Sequence, residues 1–200
     1  MPDETRRREP LTRARLGIPD GIPLEVEGDD PAALRRSLQH LMDIEAIKRV
    51  KHAYFRCIDT ANLEELATLF HEDVLVHFRG GFYEWKLEGR DAYLASIRQS
   101  FHRNAVGHHN GHHPEIRLES EREATGIWYL ADHMWILEQR FQTTGTAVYW
   151  DRYQKVDGRW LIRETRYERI YEINQQLPEN PPFSTRYLAD FGSAPEASGA

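Results

Sequence analysis

The chain has 200 residues, of which 40% are hydrophobic and 11% aromatic, and this suits one domain with a sizeable core. Its formal net charge of −6 gives no overall attraction to nucleic acid, which argues against a nucleic-acid partner. The single cysteine, Cys57, excludes an internal disulfide. No apolar run is long enough to cross a membrane, and the N-terminus lacks the apolar core of a signal peptide. We therefore expect a cytoplasmic protein with no membrane partner.

The first part of the chain predicts an arm followed by two helices. Residues 1–30 are polar and carry several prolines and glycines, a composition typical of a flexible N-terminal arm. Asp30 and Pro31 mark the start of a short helix, and Asp43 is predicted to cap a second one. The second helix carries an apolar stripe with three- and four-residue steps: Ile44, Ile47, Val50, Tyr54 and Ile58.

The remainder of the chain predicts a strongly curved sheet. A short helix, a hairpin and a further helix precede four long strands, at about 105–119, 123–139, 143–157 and 159–173. This order indicates an α+β fold in which helices pack on the concave face of a cone-shaped antiparallel sheet. Such a cone encloses a mostly apolar cavity, which is where a small ligand binds. We assign residues 31–173 to this domain and 174–200 to a C-terminal tail that is partly docked and then flexible.

A histidine cluster and a distant aspartate give the first indication of chemistry. Four histidines fall within six residues: His108, His109, His112 and His113. Asp59 ends the second helix fifty residues before His109, and a carboxylate held against an imidazole forms a proton-transfer pair that works near neutral pH. Alternation along a strand sends His109 and His113 to one side and the other two histidines to the opposite side. One regular strand therefore cannot bring all four to a single metal ion.

The neighbouring residues leave the direction of these histidines open. Ile116 has the character of a core residue, but it is opposite in parity to His109. Either Pro114 marks a bulge that resets the register, or His112 is the histidine that points inward. A metal site that combines two histidines of one parity with a third histidine elsewhere is a further alternative.

Several stretches of the chain share a pattern with a known family. They are Leu41-Met42-Asp43-Ile44-Glu45-Ala46-Ile47 before Tyr54 and Asp59, Gly89-Arg90-Asp91, His113-Pro114-Glu115-Ile116 followed by Ala124-Thr125-Gly126-Ile127-Trp128, and Asp157-Gly158-Arg159-Trp160. Together they resemble the SnoaL-like branch of the nuclear transport factor 2-like superfamily over about residues 38–172. That family includes scytalone dehydratase, bile acid 7α-dehydratase, a hexachlorocyclohexane dehydrochlorinase and polyketide cyclases, together with non-catalytic members. The resemblance implies the cone fold and a homodimer or homotrimer assembled through the outer face of the sheet.

The resemblance also implies an acid–base site built around Asp59. In dehydratase-like members a helix-end aspartate, a tyrosine one turn earlier and a histidine on a long strand surround the substrate. Asp59, Tyr54 and His109 match these three positions. We expect Asp59 to orient His109 as general base and Tyr54 to hold a substrate oxygen. The structural alternatives are that Asp59 caps the next helix and that Tyr54 only packs in the core.

Two further residues are assigned on the same basis. Asp132 matches an acidic residue on the next strand, where we expect it to pair with His109. An arginine on the last strand is common in the family, and we choose Arg166 over Arg163 and Arg169. The alternatives are a solvated, outward Asp132 and a surface role for Arg166.

These expectations favour a small-molecule lyase or isomerase of the dehydratase type, with a cyclic or apolar substrate and without a cofactor or metal. The fold hosts unrelated functions, so two other hypotheses are kept. One is a non-catalytic ligand-binding or accessory module. The other is a partner chain similar to the β subunit of a ring-hydroxylating dioxygenase.

Overall fold

A computed structural model describes residues 10–12, 15 and 26–195, so most of the arm and residues 196–200 lie outside the described residues. The elements in chain order are α1 (Pro31–Asp59), α2 (Leu63–Ala67), β1 (Phe70–Arg79), β2 (Glu84–Glu88), α3 (Arg90–Ser100), β3 (Ala105–Leu118), β4 (Glu123–Ile136), β5 (Phe141–Val156), β6 (Arg159–Gln176) and α4 (Tyr187–Phe191). No helix in this described part combines the length and the apolar character that a membrane span requires.

Helix α1 is one continuous helix of 29 residues, so the predicted break at Asp43 is wrong. Asp30 caps it as expected, since its side chain accepts hydrogen bonds from the backbone N–H groups of Ala32 and Ala33. Asp43 is buried, and its carboxylate accepts a hydrogen bond from Trp160 Nε1 at 2.9 Å and pairs with Lys155 Nζ at 2.6 Å. The Asp43 carboxylate therefore has tertiary partners, Trp160 and Lys155, and does not cap a helix.

The six strands form one mixed sheet in the order β2-β1-β6-β5-β4-β3. The predicted antiparallel pairing holds for four of the five strand pairs, and the exception is β1 with β6, which are parallel. Between these strands the chain passes through β2, α3 and three long strands, so no hairpin constrains their direction. The four long strands β3 to β6 pair antiparallel, as predicted.

The helices pack on the concave side of this sheet, with α1 lying against β3 and β6. The core between them is aromatic and aliphatic, and its most deeply buried members include Ile47, Leu66, Phe70, Val74, Tyr93, Trp128, Tyr149 and Ile162. The prediction of an α+β cone with helices on its concave face is confirmed in this respect. This arrangement places the end of α1 beside the middle of β3.

A β-bulge in β3 resolves the parity problem of the histidine segment. His109 is opposite Asp132 and His112 is opposite Tyr129, but the register slips by one residue before Glu115 pairs with Ile127. The slip includes His113, whose φ of 50° is rare for a residue other than glycine. His109 and Ile116 can therefore both face inward, and the bulge alternative is the correct one.

The C-terminal tail packs against the domain at several points. Leu177 and Leu188 are buried, and the Phe183 ring packs edge-on against Trp135 with 5.7 Å between ring centroids. Tyr187 and Phe191 of the same tail are exposed. The tail is held near the start of β3 by a hydrogen bond from Arg103 N to the carbonyl of Ser193 at 3.0 Å.

Candidate active site

Asp59 and His109 form a hydrogen-bonded pair, as the sequence predicted. Asp59 Oδ1 lies 2.6 Å from His109 Nδ1, and Asp59 Oδ2 accepts the backbone N–H of the same histidine at 2.9 Å. An ionised carboxylate can only accept, so the proton of a neutral His109 lies on Nδ1 and Nε2 is an acceptor. Within the described residues no hydrogen bond to Nε2 is present, which leaves that nitrogen available to a ligand.

Two glycines make the close approach of α1 and β3 possible. Gly107 and Gly111 lie two residues before and after His109 and share its side of the strand. A Cβ on Gly107 would lie 3.0 Å from Asp59 Oδ1, and a Cβ on Gly111 would lie 1.8 Å from Phe55 Cε2. The Phe55 ring stacks on His109 with 6.5 Å between centroids. This Gly-x-His-x-Gly spacing is a signal that our sequence reading did not use.

His109 lines a cavity of about 450 Å³ that opens between the helices and the concave face of the sheet. Its apolar walls come from residues such as Ile58, Phe78, Ile97, Leu130 and Met134. Its polar lining includes Tyr54, Tyr83, Tyr93, His109, Asp132, Tyr149, Tyr167 and Arg169, together with Gln99, Ser100, His102, Glu138, Gln139 and Thr143. A volume of this size with a few convergent polar groups is typical of a small-molecule site.

Asp132 lines this cavity, but its partner is Arg169 and not His109. The Arg169 guanidinium donates to both Asp132 oxygens, with Nη2 2.8 Å from Oδ2. Burial by itself lowers the pKa of Arg169, but the hydrogen bonds to Asp132 and the neighbouring phenols raise it above its ordinary value. The guanidinium is therefore charged at any physiological pH. The expected Asp132–His109 pair is absent, because the fork of Arg169 already occupies both carboxylate oxygens.

The choice of Arg166 as the inward arginine is wrong. Arg166 lies on the outer side of β6, where its guanidinium carbon is 5.5 Å from the centroid of the Trp150 ring. Tyr167 and Arg169 share the opposite parity and line the cavity. Nothing in the charged run of β6 marks one arginine over another, so the sequence lacked a signal for Arg169 until the strand register was known.

Tyrosine hydroxyls form two groups in the cavity. Tyr54 lies 2.9 Å from Tyr93 and 3.5 Å from Tyr149, measured between hydroxyl oxygens. Tyr83 lies 2.5 Å from Tyr167 and accepts a hydrogen bond from Arg169 Nε at 3.2 Å. Burial raises the pKa of Tyr54, Tyr93 and Tyr149 well above the ordinary value, so these phenols are neutral hydrogen-bond donors.

Comparison with known proteins identifies the family of the chain. A family model described as the SnoaL-like domain matches residues 39–166. The chain belongs to the SnoaL-like domain family. A candidate scytalone dehydratase from Novosphingobium aromaticivorans has a similar structure, with 25% sequence identity and a TM-score of 0.59 over 74% of this chain and 97% of that one.

Two dehydrochlorinases share the fold of this SnoaL-like chain. A hexachlorocyclohexane dehydrochlorinase, LinA type 2, has 18% identity and a TM-score of 0.63 over 74% of this chain and 99% of that one. A LinA type 3 enzyme from Novosphingobium barchaimii has 17% identity and a TM-score of 0.60 over 72% and 98% of the two chains. The chain therefore shares its fold with proteins named as a scytalone dehydratase and as dehydrochlorinases.

The other histidines of the cluster face away from the cavity of this SnoaL-like domain. His108 stacks on His133 with 6.0 Å between ring centroids, and His112 Nδ1 lies 2.7 Å from His113 Nδ1. No three potential metal ligands converge within residues 26–195 or the few residues described before them. The metal alternative therefore finds no ligand set there. Cys57 is buried, and burial raises the pKa of its thiol to about 11.

Proposed function

We propose that this SnoaL-like protein is a cofactor-independent lyase or isomerase of the dehydratase type, in which His109 is the general base. The observation that supports this most directly is the 2.6 Å hydrogen bond between Asp59 and His109 at the wall of a 450 Å³ cavity. The carboxylate fixes the tautomer of the imidazole and stabilises the imidazolium that forms when Nε2 takes a proton.

The cavity supports a proton abstraction next to a carbonyl group. His109 Nε2 removes a proton from the carbon beside the carbonyl, and the electrons of that C–H bond move to the carbonyl oxygen to give an enolate. The enolate expels hydroxide from the next carbon, which leaves as water with the proton from His109. In an isomerase the same proton returns to a different carbon. Both reactions are redox-neutral and need only proton transfer within the site.

The remaining cavity residues are assigned roles by their positions. Tyr54 keeps the role that the family resemblance implies and donates a hydrogen bond to the carbonyl oxygen. Arg169 takes the part that was expected of Arg166, and stabilises negative charge on the substrate or the leaving oxygen. Asp132 holds Arg169 in place through its forked contact and does not act on His109. We further propose a cyclic or flat, mostly apolar substrate, a homodimer or homotrimer, and a cytoplasmic location.

Turnover of cyclic β-hydroxy ketones in D2O, followed by ¹H NMR, tests this function. Loss of water or exchange of the proton beside the carbonyl reports base catalysis directly. We expect His109→Ala to lower kcat/KM by at least about 100-fold, because the general base is lost. His108→Ala is the matched control, because this outward neighbour on β3 should leave kcat/KM unchanged. Unaltered turnover in His109→Ala would rule out His109 as the base.

A non-catalytic ligand-binding module is the second candidate. It is favoured by the degree to which Asp132 and Arg169 already satisfy each other, which leaves few free polar groups at that wall. If the protein binds ring compounds in the cavity but neither wild type nor any variant exchanges or eliminates anything, this candidate replaces the enzyme.

A further inference from the structure

The deep end of the cavity presents a hydrogen-bond donor without a protein acceptor. Tyr54, Tyr93 and Tyr149 come from α1, α3 and β5, and their hydroxyls meet there. Three hydroxyls carry three protons, but the two contacts among them use only two. No other acceptor for these hydroxyls is present within the described residues. At least one O–H group is therefore available to an oxygen of a bound ligand.

A fully buried lysine lies directly behind these rings. Lys51 Nζ is 3.8 Å from the centroid of the Tyr149 ring and 4.4 Å from that of Tyr54. Lys51 lies one helical turn before Tyr54 on α1, and its partner Asp151 lies two residues after Tyr149 on β5. Lys51 Nζ and Asp151 Oδ2 are 2.9 Å apart, and neither side chain has any exposed surface. Lys51 thus lies against the rings of Tyr54 and Tyr149, with Asp151 as its ion-pair partner.

This ion pair has no good explanation as a stabilising contact. Burying two charges costs more than a hydrophobic pair of the same size unless their hydrogen bonds are complete. Asp151 Oδ2 accepts a hydrogen bond from Tyr153 at 2.7 Å, but in the described part of the chain Asp151 Oδ1 has no hydrogen-bond partner and Lys51 Nζ makes only the ion contact with Asp151. Burial lowers the pKa of Lys51, and the attraction of Asp151 opposes that shift. The ammonium lies over the faces of the Tyr54 and Tyr149 rings, whereas the Asp151 carboxylate contacts Lys51 and the Tyr153 hydroxyl.

We propose that Lys51 is a positioning residue that acts through Tyr54 and Tyr149 to make the deep end of the cavity selective for a negatively charged ring oxygen, a phenolate or an enolate. An ammonium against the faces of two phenol rings draws electron density from them and strengthens their O–H groups as donors. The positive charge of Lys51 acts on the ligand through its electric field and without contact, because the Tyr54 and Tyr149 rings lie between the ammonium and the cavity. The inference rests on the proposed function for its catalytic meaning: the substrate is a ring carbonyl compound whose oxygen points to this end while His109 acts at the neighbouring carbon.

The test compares an anionic probe with a neutral one of the same shape. Pentafluorophenol is ionised at neutral pH, and pentafluorotoluene is its uncharged counterpart; ¹⁹F NMR titration gives both dissociation constants. The key variant is the double substitution Lys51→Met with Asp151→Asn, which removes both charges together and leaves an acceptor for the Tyr153 hydroxyl. The matched control is Lys155→Met with Asp43→Asn, the same change at another Lys–Asp pair that does not line the cavity.

We expect wild type to prefer the phenolate, and the Lys51/Asp151 double variant to lose about tenfold of that preference. The Lys155/Asp43 control should keep the preference. A folded Lys51/Asp151 variant with an unchanged preference, or a wild type without any preference, would overturn the proposal.

A second variant keeps the proposal testable if the double variant does not fold. Tyr149→Phe removes a hydroxyl and leaves the ion pair in place, so it should lose the phenolate preference as well. In the Lys51/Asp151 background it should cause no further loss if Lys51 acts through this hydroxyl, whereas additive losses would contradict that route. Binding of the probes requires no turnover. A phenolate preference without turnover would therefore refute the proposed function and leave this inference standing, and turnover without the preference would do the reverse.

Discussion

Two buried aspartate–cation pairs lie on the concave side of the sheet, and they differ in whether their side chains line the cavity. Arg169 and Asp132 line the cavity, and the planar guanidinium satisfies both carboxylate oxygens. Lys51 and Asp151 are sealed from it, with 0% of either side chain exposed against 6% and 3% for the first pair. The first pair can therefore contact a ligand and can be hydrated by the cavity. The second can act on a ligand only through the tyrosine rings in front of it.

The largest effect on stability should follow from removing one charge of the buried Lys51–Asp151 pair. Lys51→Met leaves Asp151 buried without its cation, and we expect a loss of about 3–5 kcal/mol in the free energy of unfolding. Urea denaturation measures it. The double variant with Asp151→Asn should regain most of the loss, since no buried charge is then left. If Lys51→Met is as stable as wild type, the cation of Lys51 does not compensate a buried charge on Asp151.

Weakening the Asp132–Arg169 pair should lower the free energy of unfolding by less, because water in the cavity can hydrate the Arg169 guanidinium. For Asp132→Asn we expect a loss of about 1–3 kcal/mol, from a hydrogen bond to a charged group that is weakened but not removed. The same urea experiment gives the value. A loss larger than that of Lys51→Met would reverse the comparison between the two pairs.

The smallest effect on stability should come from exchanging the cation of the cavity pair. Arg169→Lys keeps the positive charge but loses the fork on Asp132 and the contact with Tyr83, and we expect a cost of about 1 kcal/mol. Catalytic turnover should fall more than stability does, because the substituted ammonium cannot hold the same geometry. Thermal unfolding and kcat/KM on one sample separate the two quantities, and full activity in this variant would show that the fork is dispensable.

The sequence supported the Asp59–His109 pair because each residue belongs to a pattern that is visible along a single segment of the chain. Asp59 stands at the end of an amphipathic stripe, and His109 stands at a fixed place in a motif that the family model also covers. Arg169 could not be chosen in the same way. Moving three residues along β6 changes the face of the strand, and only the pairing with β5 shows which face is inward.

Other misses have the same cause. Asp43 has the local character of a helix cap, but a buried contact with Trp160 and Lys155 outweighs that tendency. Asp132 was given the nearest polar partner along the paired strands, and the structure gives it a partner from β6, two strands away in the sheet. Lys51 lies on the apolar stripe of α1, four residues after Ile47 and three before Tyr54, but nothing in the sequence shows that Asp151 of β5 is its partner.

By itself the sequence determined the α+β cone and the long antiparallel strands, since these depend on periodicity along single segments, and its resemblance to the family identified Asp59 and His109 as partners. Only the tertiary structure decided the parallel β1–β6 pair, the bulge that turns both His109 and Ile116 inward, the choice of Arg169, and the ion pair behind the tyrosines. Those features depend on strand register and on which faces meet across the core, and neither is encoded in the neighbours of a residue along the chain.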